Sequence, residues 1–215
     1  MHVISINTFN TIIHAADVTL IKTTYHRPKL LENSEGKMVK VFYAKHKKFS
    51  SNHRRPYALR FSENSIHLQK KGIRTPTVDV LQYCKDYDAY ILSYSKIPGE
   101  NTRILANKDS HFIIPRIAEF IALIHQKGIF FRSLHLENLL YDDNQGFALL
   151  DIVDVKFTRH PLPIFLRYRN LKHMFGIHDD REFWKKYGVR QFMNIYFDAA
   201  RLSSLSKKIL STLCK

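Results

Sequence analysis

An amide and a carboxylate stand at the two ends of one short segment, and together they suit a cation that bridges phosphates. Between Asn138 and Asp151 runs LLYDDNQGFALL, in which Asp142 to Gly146 is turn chemistry and apolar residues flank it on both sides. This spacing predicts a β-hairpin. A hairpin returns the chain to its start, so Asn138 and Asp151 come together, and an amide oxygen beside a carboxylate is a pair of hard oxygen ligands suited to Mg²⁺. The plainer alternatives are that Asn138 caps a turn and Asp151 ends a strand. Asp154, three residues on, reads as a helix cap or surface residue rather than a second ligand. Lys40, between Val39 and Val41 in an apolar strand, could hold a phosphate or lie on the outward face of an edge strand.

The elements that must position these residues follow from periodicity. Residues 29–44 read as two strands around a turn at Glu32 to Gly36, and Pro56 to Lys71 as an amphipathic helix ending at Gly72. Strands are expected from Thr77 to Tyr83 and from Ala89 to Tyr94, with a break at Pro98-Gly99. A helix is expected from Ile114 to Lys127, a loop from Phe130 to Asn138, and mostly helix from about Pro163. The first residues lack the basic start and cleavage site of a secretory signal and read as part of the fold. Strands followed by helices argue for an α+β protein in two lobes, residues 1–97 and 98–215.

With 215 residues, 45% of them hydrophobic and 25% charged, the chain can bury a core. No run approaches the roughly 18 apolar residues of a membrane span. Cys84 and Cys214 form no C-x-x-C pair, so neither a zinc ribbon nor a redox motif is indicated, and a reducing cytoplasm is the simplest location. The net charge of +15 predicts attraction to polyanions such as nucleic acid, an anionic membrane face or a phosphorylated glycolipid. Eight Lys or Arg residues and no acid fall between Gly36 and Ser62. Arg54 and Arg55 fall at the start of a helix there, where the macrodipole disfavours cations; an anionic partner for the segment that also holds Lys45, Lys47 and Lys48 explains this, with a simply solvated basic surface as the alternative.

The segment FRSLHLEN at Phe131 to Asn138 resembles the protein-kinase catalytic loop H-R-D-L-x-x-x-N, with Arg132 and Asn138 in register. Asp151 then stands at the D-F-G aspartate, Lys40 in MVKVF resembles the β3 lysine, and the following helix resembles αC, with Glu63 as its only acid. Within kinase-like proteins the chain resembles the bacterial lipopolysaccharide kinase (Kdo and heptose kinase) family and its toluene-tolerance group. The stretches that carry this are KMVKVF, SSNHRRPYALRFSEN, KKGIRTPTV, IHQKGIFFRSLHLENLL, LLDIVDVKF and RYRNLKH. The resemblance implies an α+β, protein-kinase-like fold with a small antiparallel-sheet N-lobe and a helical C-lobe. It also implies ATP and Mg²⁺ as cofactors, a lipopolysaccharide core sugar as acceptor, and work at the cytoplasmic face of the inner membrane, with peripheral membrane contact.

Two departures matter. Ser133 occupies the position of the aspartate that orients the acceptor hydroxyl and takes its proton, and a serine is no base near pH 7. A glycine-rich phosphate loop is missing, Gly36 being the only glycine before Lys40. His135, two residues past Ser133, reads as structural, with a substitute base as its sharper alternative, and Glu137 is a weaker candidate for that task. His125 reads as a packing histidine, and no histidine spacing suits zinc. Arg132 supports the loop. These features leave an atypical or impaired kinase beside a pseudokinase that binds nucleotide. A nucleic-acid-binding protein is supported by charge alone and lacks any recognised reading motif.

Overall fold

The computed structural model describes residues 1–15, 17–24, 27–44 and 55–214, which fall into two units, Met1–Leu68 with Thr75–Ile97 and Gln69–Arg74 with Pro98–Lys215. The first contains β1 (His2–Ile4), α1 (Ile6–His14), β2 (Thr19–Thr24), β3 (Arg27–Glu32), β4 (Lys37–Tyr43), most of α2 (Tyr57–Lys70), β5 (Val78–Cys84) and β6 (Ala89–Ser95). Its six strands lie in the order β1-β5-β6-β4-β3-β2. β1 runs parallel to β5, while the other pairs are antiparallel.

Both faces of this sheet are covered, which explains why β4 is apolar almost throughout instead of alternating. Val39 and Val41 face one side with Leu31, Ala89 and Ile91, where they meet Phe9 and Ile13 of α1. Ser5 caps that helix by accepting the N–H of Thr8, and Phe9 and Ile13 share a face because they lie one turn apart. Burying each stabilises the unit by roughly 1.5–3 kcal/mol before entropy is counted. Lys40 and Phe42 have the opposite parity, and α2 covers that side. The Phe61 ring lies 6.2 Å from Phe42 and 5.9 Å from Tyr94. The predicted turn between β3 and β4 is present, with Gly36 at φ 73° and the Asn33 side chain accepting the N–H of Lys37 at 2.8 Å.

The second unit contains β7 (Glu100–Asn101), α3 (Thr102–Lys108), α4 (Ser110–Gln126), β8 (Ile129–Phe131), β9 (Leu139–Asp142), β10 (Gly146–Leu149), β11 (Val155–Phe157), α5 (Ile164–Phe175), α6 (Arg181–Tyr187), α7 (Val189–Ala200) and α8 (Ser204–Leu210). Small sheets, β10-β9-β7 and β11-β8, hold its loops. Its core is built on α4, whose Ile113, Ile117, Ile121 and Ile124 are fully buried, as are Phe192 and Tyr196 of α7. Gly128 ends the turn after α4 at φ 72°. A Cβ there would stand 2.6 Å from the Thr158 carbonyl oxygen and 2.7 Å from that of His160, so the crossing of these backbones requires glycine.

Two expectations need correction. The helix predicted from Ile114 begins at Ser110, where Asp109 accepts the N–H of Phe112 at 3.0 Å. Pro115 therefore lies inside it, and the core contacts of the isoleucines outweigh the lost backbone bond. The predicted loop at Phe130 to Asn138 starts as strand β8 and ends in a 3₁₀ turn, Leu136–Asn138. Among the described residues no helix is long and apolar enough to cross a membrane.

Candidate functional site

Arg132, Ser133, His135, Asn138 and Asp151 all belong to the second unit, and the β9–β10 hairpin gathers the last two as expected. Leu139 is opposite Leu149, and the Leu150 N–H donates to the Asn138 carbonyl at 2.8 Å. Asn138 thus flanks the strand end that leads directly into Asp151. The Asn138 Nδ2 donates to the Ser133 carbonyl at 2.9 Å. Because a carbonyl can only accept, this bond fixes the amide's orientation and turns Oδ1 away from the loop backbone. Asp151 adopts φ 48°, ψ 48°, the left-handed conformation that costs a non-glycine residue roughly 1–2 kcal/mol, and it leads into the 3₁₀ turn Ile152–Asp154. Asp154 closes that turn. The donor set, one amide oxygen and one carboxylate, is the hard-oxygen chemistry that would suit Mg²⁺.

Residues distant in sequence hold the loop from behind. Thr102 donates its hydroxyl to the Leu136 carbonyl at 2.6 Å, and Asn101 donates its amide to the Glu137 carbonyl at 2.8 Å. Asp180, fully buried, accepts from Arg103 Nε at 2.6 Å and from the Leu136 N–H at 3.3 Å. Arg103 Nη1 also reaches Glu137 Oε2 at 3.3 Å. Partial burial pulls the Arg103 pKa down, but the hydrogen bond and charge of Asp180, with Glu137 and Asp179, hold it above its ordinary value. Neither Arg103 nor Asp180 was singled out by the sequence, because an ion pair across 77 residues leaves no periodic trace.

His135 has its pKa lowered by burial, against the opposing charges of Asp180 and Glu137 and with help from Arg103 and His173. Its Nδ1 is buried without a hydrogen-bond partner among the described residues. Either neutral tautomer leaves Nδ1 unsatisfied, as donor or as acceptor, at a cost of about 1–3 kcal/mol. Arg132 is exposed on the same loop.

Behind β8 lies a chain of buried polar groups. Arg167 Nη1 donates to the Tyr196 hydroxyl at 3.1 Å, Tyr196 stands 2.8 Å from His125 Nδ1, and His125 Nε2 stands 3.0 Å from Asn170 Oδ1. Asn170 Nδ2 donates to the Phe131 carbonyl at 2.6 Å. Working back from that carbonyl, Asn170 must present its oxygen to His125, so Nε2 carries the proton and Nδ1 accepts from Tyr196. Burial pushes the His125 pKa down to about 3. The packing role expected of His125 is thus also one of orientation, since the chain of bonds ends on the residue before Arg132.

Lys40 and Glu63 belong to the first unit. β4 lies between β6 and β3, so the edge-strand alternative for Lys40 is ruled out, and the side chain is only 7% exposed. Its Nζ lies 5.0 Å from the Phe61 ring centroid and 5.4 Å from that of Phe42. Glu63 pairs with Arg55, whereas the buried face of α2 carries Ala58, Phe61, Asn64, Ser65 and Leu68. Arg55 thereby gains an intramolecular partner. Lys45, Lys47, Lys48 and Arg54 of the basic segment lie outside the described residues. No group of three or more His, Cys, Asp or Glu residues suited to a metal occurs among the described residues.

The sequence matches no protein-family profile. A 2.2 Å crystal structure of WbdD aligns over 89% of this chain and 49% of its own, with a TM-score of 0.52 and 15% identity. A medium-resolution structure of WbdD, described as a bifunctional kinase-methyltransferase, aligns over 85% of this chain and 46% of its own, with a TM-score of 0.48 and 16% identity. Monomeric WbdD gives 81%, 45%, 0.49 and 18% for the same quantities. The chain spans about half the length of these structures, and its fold is kinase-like.

Proposed function

We propose that the chain binds ATP with Mg²⁺ and transfers the terminal phosphoryl group to a hydroxyl of a lipopolysaccharide core sugar. The observation that carries this reading is the hairpin foot, where Asn138, with its amide oriented by the Ser133 carbonyl, adjoins Asp151. In the proposal Asn138 Oδ1 and the Asp151 carboxylate hold the cation, and Lys40 neutralises phosphate charge. Arg132 supports the loop. Glu63 is assigned no phosphate role, since its carboxylate is held by Arg55. Bound Mg²⁺ supplies charge neutralisation for the phosphates and the leaving group.

In the transfer, the acceptor oxygen forms a bond to the terminal phosphorus while the bond to the leaving ADP oxygen breaks, and the hydroxyl proton must pass to a base or to water. Ser133 can orient that hydroxyl by hydrogen bonding but cannot take the proton. Losing a positioned base costs about 10²–10⁴-fold in rate, whereas positioning and electrostatics carry most of phosphoryl transfer, so a slow kinase is the preferred form. Ser133 also favours a second reading, a pseudokinase that binds nucleotide in cell-envelope biogenesis. Calorimetry with ATP, with and without Mg²⁺, tests the shared part, and equal affinities would eliminate the cation site. Transfer from labelled ATP to purified core glycolipid then separates the two, since binding without transfer selects the pseudokinase.

A further inference from the structure

The C-terminal helices expose large apolar side chains that the nucleotide reading does not use. Phe165 of α5 is 65% exposed and Leu205 of α8 is 70% exposed, with Ile209 also exposed. On α8, Leu205, Lys208 and Ile209 lie at i, i+3 and i+4 and so share one face, while Leu210 is turned into the core. On α5, Phe165, Arg169 and Lys172 lie at i, i+4 and i+7, and all three are exposed. The buried residues of that helix are Arg167, Asn170, Leu171 and Met174. α5 and α8 pack against one another, so these exposed faces belong to neighbouring helices of one unit.

The two helices themselves carry cations and no acid. Residues 155–178 contain five Lys or Arg and no acid, and residues 199–215 contain four and no acid. Asp154 and Asp179 bound the first stretch, and Asp198 bounds the second, where Lys207 meets it at 3.7 Å. Isolated exposed apolar residues are ordinary, and a basic surface alone is a solvated one. Phe, Leu and Ile interleaved with Arg and Lys on adjacent helices, with no acid in either stretch, combine the two terms that hold a peripheral protein on an anionic bilayer. Apolar side chains enter the acyl boundary while cations meet the phosphate headgroups.

We propose that Phe165, Leu205 and Ile209, with Arg169, Lys172 and Lys208, form a docking surface for anionic phospholipid. This deepens the glycolipid reading and rests on it only for its purpose, because a glycolipid acceptor is presented at a membrane surface.

The test is co-sedimentation of the full chain with vesicles of phosphatidylcholine alone and of phosphatidylcholine doped with phosphatidylglycerol, with MgATP affinity measured on the same samples. The chain is expected on the doped vesicles only, with binding that weakens as salt rises. Phe165→Ser with Leu205→Ser is expected to weaken binding by about tenfold or more at every salt concentration. Lys172→Gln with Lys208→Gln is expected to weaken it by about tenfold at low salt and to flatten the salt dependence. All four side chains are exposed, so melting temperature and MgATP affinity stay at the wild-type value. Absence of wild-type binding, equal binding to both vesicle types, or unchanged binding by both double variants would overturn the docking surface without touching the nucleotide reading. So would a concentration-dependent dimer that Phe165→Ser abolishes, since a second copy would then own the face. Docking that survives in a chain with no MgATP affinity would overturn the kinase reading instead.

Discussion

His125 Nε2 stands 3.0 Å from Asn170 Oδ1, and the other end of that amide donates to the Phe131 carbonyl at 2.6 Å. A ring from α4, through an amide from α5, thus holds the backbone of β8 one residue before Arg132. Each group has its role fixed by the next, so the network reports on the position of the candidate catalytic loop.

The first consequence is a pH dependence. The His125 pKa lies at 6.5 when unperturbed and is pushed down to about 3 in the native protein, so below pH 6.5 the unfolded chain binds a proton that the native one does not. The contribution to stability is fully present above pH 6.5 and is lost as pH falls, at up to about 1.4 kcal/mol per pH unit. Urea melts between pH 8 and pH 4 should show that slope, and His125→Gln should flatten it. An unchanged slope in the variant would assign it to other groups.

Asn170→Leu is expected to cost about 2–4 kcal/mol, because it leaves the Phe131 carbonyl and the His125 N–H buried without partners. Tyr196→Phe likewise leaves two buried partners, His125 Nδ1 and Arg167 Nη1, without the hydroxyl and should cost a similar amount. Denaturant titration at pH 7.5 measures both, and a negligible loss in either variant would contradict the directed chain.

Arg103→Ala should cost about 3 kcal/mol, since it strands the buried Asp180 carboxylate. Arg103→Lys should recover part of this. If the loop depends on the pair, hydrogen exchange of the Leu136 amide, which donates to Asp180, will quicken in Arg103→Ala. Protection equal to wild type would show that Thr102 and Asn101 suffice.

Lys40→Met preserves the packing of a side chain buried in a central strand and removes its charge. MgATP affinity should fall about tenfold or more with little change in melting temperature. A protein that loses stability but keeps its affinity would make Lys40 structural.

Ser133→Asp returns a carboxylate to the loop. A slow kinase should gain up to the ~10²–10⁴-fold expected of a positioned base, and Asp151→Ala should abolish transfer in either background. If His135 or Glu137 already takes the proton, the added carboxylate would slow transfer and His135→Ala or Glu137→Ala would nearly eliminate it. MgATP binding without turnover in every variant would select the pseudokinase.

The sequence by itself determined the hairpin at residues 139–150, the β3–β4 turn and the order of strands before helices, because local turn chemistry and apolar period set them. It also placed Asn138 and Asp151 at neighbouring ends of one hairpin, a relation that follows from chain reversal alone. Only the tertiary structure decided that Lys40 lies on a central strand between covered faces and that Glu63 pairs with Arg55. It alone extended α4 to Ser110, where tertiary packing outweighs the local signal of Pro115. Arg103 with Asp180, and His125 with Asn170 and Tyr196, were illegible for the same reason. A buried polar group is satisfied by whichever partner the packing brings within about 3 Å, and that partner can stand anywhere along the chain.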